Sequence, residues 1–169
     1  MRFVDTNVLL YAVSTADDER AKAGVARALL EAPDLVLSVQ VLQEFYVQAT
    51  RPTKRDRLSH EQAAVLVESF LRYRAQETTV AVMRASLATS HRFRISYWDA
   101  AIVEAARALG CRTVLSEDLA HGCDYGGVTV ENPFRTARGR RRPRAADQLP
   151  GRTVSSAGRR RSRTRRSTR

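Results

Sequence analysis

Short apolar runs alternate with longer amphipathic stretches along the first 135 residues, and this alternation limits the folds open to the chain. Phe3-Val4, Leu35-Val36-Leu37, Thr113-Val114-Leu115 and Val128-Thr129-Val130 are too short for helices and read as buried strands. Thr78-Thr79-Val80 reads as a further short strand. Between them lie helical patterns with their own start signals. Asp5-Thr6-Asn7 offers three capping residues for the segment Val8 to Val13, and Asp17-Asp18-Glu19 opens a second helix. That helix carries Ala21, Val25, Ala28, Leu29 and Ala32 at helical spacing and stops near Pro33. Ser38 caps a third, running to about Thr50. Ser59-His60-Glu61-Gln62 has the capping-box form, and Ala63, Leu66, Val67, Phe70 and Leu71 continue it. A fifth passes through Leu87 to about His91. Ser96 caps the last, whose Ile102, Val103, Ala106 and Leu109 face inward and whose C′ position falls on Gly110. Strands alternating with helices in this way predict an α/β domain of three layers, with a short, mainly parallel central sheet flanked by helices. In such sheets ligands sit at the carboxyl ends of the strands, near the point where strand order reverses.

Charge separates the chain into two parts. The formal net charge is +11, yet 13 of the 29 Lys and Arg, and only one of the 18 acids, lie in residues 136–169. Residues 1–135 therefore hold 16 basic against 17 acidic groups, and the basic character belongs to the remainder. We accordingly expect one folded domain over residues 1–134 and an Arg-rich disordered tail over 135–169, whose only large apolar residues are Leu149 and Val154. Cys111 and Cys123 form no CxxC pair, the N-terminus has no apolar leader and no run approaches the length of a membrane span. The expectation is a cytoplasmic protein without membrane association.

Four carboxylates fall where a ligand site is expected. Asp5 follows the first strand, Glu44 interrupts the apolar helix Val41 to Val47, Asp99 lies in the first turn of a helix, and Asp118 follows the strand ending at Leu115. In a parallel sheet Asp5 and Asp118 leave the same edge. Each acid has a structural reading: Asp5 and Asp99 as helix caps, Glu44 on a solvated stripe with Gln40, Gln48 and Arg51, and Asp118 as a loop acid. Together they raise one another's pKa unless a cation neutralises them. An oxygen-only set selects Mg²⁺ or Mn²⁺ over zinc, and such ions complete their shell with water and substrate phosphate. His60, His91 and His121 share no ligand spacing, and His121 with Cys123 reads as a surface loop. Gly126-Gly127 is a turn, and no phosphate-binding glycine loop is present. Tyr46, Phe70, Tyr73, Phe93 and Trp98 read as core or as a partner's surface rather than as a base-stacking platform. Arg51, Lys54, Arg55 and Arg57 form a basic loop suited to a phosphate backbone.

Phe3-Val4-Asp5-Thr6-Asn7-Val8-Leu9-Leu10-Tyr11 resembles the opening motif of PIN-domain (Rossmann-like) ribonucleases, in particular the VapC-like toxins of toxin–antitoxin pairs. Ser96-Tyr97-Trp98-Asp99-Ala100-Ala101-Ile102 is similar to the family's third acidic motif and Leu115-Ser116-Glu117-Asp118-Leu119 to its fourth, while Glu44 falls where the second acid is expected. The resemblance covers about residues 1–134. It implies a pocket of Asp5, Glu44, Asp99 and Asp118 holding Mg²⁺ or Mn²⁺ and cleaving RNA endonucleolytically. Ser116 is implied as a hydrogen-bond donor, Thr6 and Asn7 as supporting groups, and Glu117 as the rival to Asp118 for the fourth acid. A small antitoxin and a homodimer are the implied protein partners. Two other readings compete: a PIN-like domain that binds nucleic acid or protein without cutting, and a receiver-like phosphoacceptor domain. The latter wants a lysine after a late strand, and the only lysines are Lys22 and Lys54.

Overall fold

The computed structural model describes residues 1–135; the expected tail lies outside the described residues. Strands β1 (Arg2–Val4), β2 (Leu35–Ser38), β3 (Arg74–Gln76), β4 (Thr113–Leu115) and β5 (Thr129–Glu131) form one sheet. Their order is β3-β2-β1-β4-β5 and every pairing is parallel. Helices α1 (Thr6–Val13), α2 (Arg20–Leu30), α3 (Val39–Ala49), α4 (His60–Phe70), α5 (Val80–Phe93) and α6 (Tyr97–Ala108) flank it, giving the three-layer α/β architecture that the alternation predicts.

The core runs through the sheet. Phe3, Val4, Leu37, Val114, Leu115 and Val130 are buried together with Val8 and Leu9 of α1, Val41 and Phe45 of α3, and Val103 of α6. Strand order reverses between β1 and β4, whose registers align Phe3 with Val114 and Val4 with Leu115. The carboxyl ends of these two strands thus open side by side at the switch point.

Local signals set most boundaries. The Ser38 and Ser96 hydroxyls accept from the N–H groups of Val41 and Asp99, and Ser59 with Gln62 completes the capping box. Gly110, at φ 74°, follows the C-cap of α6 in the left-handed conformation that favours glycine there.

Three expectations are corrected. Thr78-Thr79-Val80 is not a strand: the Thr79 hydroxyl caps α5 by accepting from Val82 N–H, and the third strand lies earlier, at Arg74–Gln76. An edge strand pairing only with β2 needs little apolar character, so hydrophobicity did not reveal it. In α2, preceded by a 3₁₀ turn over Asp17–Glu19, the inward face is Ala23, Ala26 and Leu30, while Ala21, Val25 and Ala28 are exposed. In an alanine-rich helix several stripes are equally apolar, and packing against α1 selects among them. Trp98, finally, is 65% exposed and belongs to no core. Among the described residues no helix is long and apolar enough to cross a membrane.

Candidate active site at the β1/β4 switch point

Asp5 leaves β1 and at once caps α1: one carboxylate oxygen accepts from the Thr6 N–H at 2.7 Å. The capping reading of this residue therefore holds, but it accounts for only half of the side chain. The other oxygen accepts from the Ser116 hydroxyl at 2.6 Å, across the switch point from the end of β4. Ser116 Oγ itself accepts from the N–H groups of Asp118 and Leu119, both at 3.2 Å. One fully buried hydroxyl thus ties the first acid to the turn that carries the fourth.

Asp5 is 7% exposed, and burial raises its pKa to about 6. The hydrogen bonds from Ser116 and Thr6 work against that rise, while the charges of Glu44 and Asp118 add to it. The hydrogen bonds through Ser116 and Thr6 bring Asp5, Glu44 and Asp118 into one neighbourhood from the end of β1, α3 and the turn after β4. Glu44 accepts from the Thr6 hydroxyl at 3.0 Å and Asp118 from the Asn7 side-chain amide at 2.8 Å. Thr6 and Asn7 therefore each hold one acid.

Glu117 is differently employed. Lys22 of α2 approaches it at 2.6 Å, and the Tyr11 hydroxyl donates to it at 2.6 Å. Burial works to raise its pKa, yet the bonds from Lys22 and Tyr11 prevail and hold the carboxyl below its ordinary value. The Lys22 ammonium also lies 4.6 Å from the Tyr11 ring centroid. The sequence reading missed this clamp. The rarity of lysine was its only visible signal, and the distance from Lys22 to Glu117 in sequence concealed the pairing.

Asp99 occupies the first turn of α6, its N–H donating to the Ser96 hydroxyl at 3.0 Å. The preceding residue, Trp98, lines a cavity together with Glu44, so the start of α6 borders the acidic neighbourhood. No side-chain hydrogen bond links Asp99 to Asp5, Glu44 or Asp118 among the described residues; its charge acts instead on Tyr125.

Among the described residues no three Asp, Glu, His or Cys side chains converge tightly enough to enclose a metal ion. The donor chemistry nevertheless fits a hard divalent cation: the oxygens are carboxylates, and Asp5 is a buried acid that adjacent negative charges disfavour as an anion. Glu44 and Asp118 each turn one carboxylate oxygen to Thr6 and Asn7, which leaves the other oxygen of each for a cation.

The sequence profile of the PIN domain matches residues 2–121. No curated protein matches the chain in sequence. Among solved structures, VapC20 of Mycobacterium tuberculosis, described as a toxin that cleaves the sarcin–ricin loop, is 21% identical with a TM-score of 0.57, covering 70% of this chain and 90% of its own. A toxin–antitoxin complex from Klebsiella pneumoniae is similar at 18% identity and TM-score 0.59, covering 79% of this chain and 98% of that one. VapBC2 from Rickettsia felis, bound to a fragment of promoter DNA, gives 18% and 0.55, covering 78% and 97%. At these identities the likeness is one of fold.

Proposed function

The chain belongs to the PIN domain family, and from that premise we propose that it is a Mg²⁺-dependent endoribonuclease, the toxin of a toxin–antitoxin pair. The observation that carries this reading is the buried Asp5 carboxylate at the β1/β4 switch point, bridged by Ser116 and facing the charges of Glu44 and Asp118. An acid buried among acids disfavours its own ionised form, and a cation bound there removes that cost.

Asp5, Glu44, Asp99 and Asp118 would hold Mg²⁺ or Mn²⁺. Bound there, the ion supplies Lewis-acid stabilisation of charge at a scissile phosphate and acidifies an attacking water. The chain's own residues prepare that chemistry. Ser116 fixes the Asp5 carboxylate and the turn bearing Asp118, while Thr6 and Asn7 orient Glu44 and Asp118. The Lys22 clamp keeps Glu117 out of the set, which favours Asp118 as the fourth acid. Fold likeness to toxin–antitoxin complexes supports an antitoxin as a partner; a homodimer working in the cytoplasm completes the proposal.

One observation favours a second reading, a PIN-like domain that binds nucleic acid without cutting it: the acids are not drawn together around a common point. A single experiment separates the two. The wild-type chain and the Asp5→Asn and Asp99→Asn variants are incubated with total RNA, with and without Mg²⁺, and new ends are mapped. The proposal expects Mg²⁺-dependent cleavage by the wild type, lost in both variants while their circular dichroism is retained. Undiminished cleavage by both variants refutes the mechanism, and no cleavage by the wild type favours the binding reading. Isolation with the product of the adjacent gene tests the antitoxin: absence of a complex, with no growth arrest on expression alone, refutes the toxin role.

A further inference from the structure

Gln40, Gln43, Glu44 and Val47 recur on α3 at positions i, i+3, i+4 and i+7, so they share one face of the helix. That face and the Trp98 side chain line a cavity of about 280 Å³. Val47 is 61% and Trp98 65% exposed, so the fold leaves an apolar side chain and a flat aromatic surface open to water in the lining of this space. Tyr97 meets Trp98 edge to face, with ring centroids 5.3 Å apart, and the Trp98 carbonyl lies 3.5 Å from the Gln40 side-chain amide.

We propose that Trp98 and this face of α3 form a nucleobase subsite that takes one unstacked base of a single-stranded RNA substrate; the proposal rests on the ribonuclease reading. An aromatic face stacks on any base, and side-chain amides pair with base edges, glutamine with adenine above all. Gln40 and Gln43 supply those amides next to the indole. The position agrees with the chemistry. Glu44 is both a wall of the cavity and a charge that acts on Asp5, and Trp98 is followed directly by Asp99. A base seated on the indole therefore lies in the same cavity as Glu44, on the side of the molecule where the acids stand. A base held within a duplex presents no free face, so the subsite selects single strands, loops or ends. The sequence alone assigned Trp98 to the core or to a protein partner; its exposure beside the acids is what changes the assignment.

Trp98 is the single tryptophan of the chain, so the protein's indole fluorescence reports this site alone. The full-length protein in EDTA is titrated with a mixed-sequence ten-nucleotide RNA and with an abasic ribose-phosphate oligomer of equal length. The 13 arginines beyond residue 135 attract both backbones, so the comparison isolates the bases. Saturable quenching by the RNA and none by the abasic oligomer is expected. In anisotropy measurements with labelled RNA, Trp98→Ala should weaken binding roughly 5- to 150-fold, the range for loss of one stacked base, while Trp98→Phe restores most of it. With Mg²⁺ present, KM for the RNA should rise by the same factor, and Gln43→Ala should raise it less. Quenching that does not require bases, or Trp98→Ala binding RNA as the wild type does, overturns the subsite. So does emission that changes on dilution alone together with monomeric sedimentation of Trp98→Ala, which would assign the face to a second copy of the chain. Wild-type cleavage with an unaltered KM in Trp98→Ala removes the subsite and leaves the ribonuclease standing. Base-dependent quenching without any Mg²⁺-dependent cleavage does the reverse.

Discussion

Raising the pH in the absence of divalent cations should weaken the fold through one side chain. The Asp5 carboxyl titrates at about 6 in the folded protein because it is buried and faces Glu44 and Asp118. In an unfolded chain an aspartate titrates near ~3.9. The folded state thus binds this proton more tightly, so its contribution to stability is complete below ~3.9 and is lost as pH rises through about 6. A shift of roughly two units at ~1.36 kcal/mol each gives ~3 kcal/mol in all, of which ~2 kcal/mol develops between about pH 4.5 and pH 8. Urea unfolding of the wild type and of Asp5→Asn, in EDTA across that interval, measures it, because subtraction removes the titration of every other group. The constant offset between the two curves carries the altered hydrogen bond to Ser116, and the slope of the difference carries the Asp5 proton. The wild type should lose stability relative to the variant as pH rises, and millimolar Mg²⁺ should flatten the wild-type curve while leaving the variant's unchanged. Parallel curves would refute the coupling of Asp5 to its acidic neighbours, and a Mg²⁺ effect of equal size in both proteins would refute its role in holding a cation.

Ser116→Ala removes a buried hydroxyl that serves Asp5 and two backbone N–H groups, and should cost about 1–3 kcal/mol in urea unfolding; a loss within error would mean that the bridge contributes nothing. Glu117→Gln removes the charge paired with Lys22 and leaves one acceptor oxygen where two now serve Lys22 and Tyr11; it should alter RNA cleavage only a few-fold and stability by about 0.5–1 kcal/mol. Asp118→Asn should abolish cleavage, and the opposite ranking of these two variants would make Glu117 the fourth acid. Ending the chain after residue 135 keeps Phe134 against Tyr11, with ring centroids 4.8 Å apart. The melting temperature and the cleavage of a short RNA should then be retained, and a large loss of either would make the Arg-rich segment part of the working enzyme.

The sequence by itself determined the parallel α/β architecture, because its signals are local. Runs such as Leu35–Leu37 are too short for anything but a buried strand, and the serines at 38, 59 and 96 start helices through bonds within three residues. It also marked Asp5 and the turn carrying Asp118, since residues that follow neighbouring parallel strands emerge at the same carboxyl edge of the sheet. Where no local signal discriminates, tertiary structure decided. The edge strand Arg74–Gln76 gains its place from pairing with β2, and the buried stripe of α2 was chosen by α1 from several of equal apolarity. Long-range pairing likewise ties Glu117 to Lys22, which reaches it from a helix far away in sequence. Trp98 shows the difference most sharply. Its residue type and helical position suit a core, and only the fold, which packs α6 chiefly against α5, leaves the indole in solvent in the same cavity lining as Glu44. Burial depends on the whole surrounding surface, which the spacing of residues along one helix cannot encode.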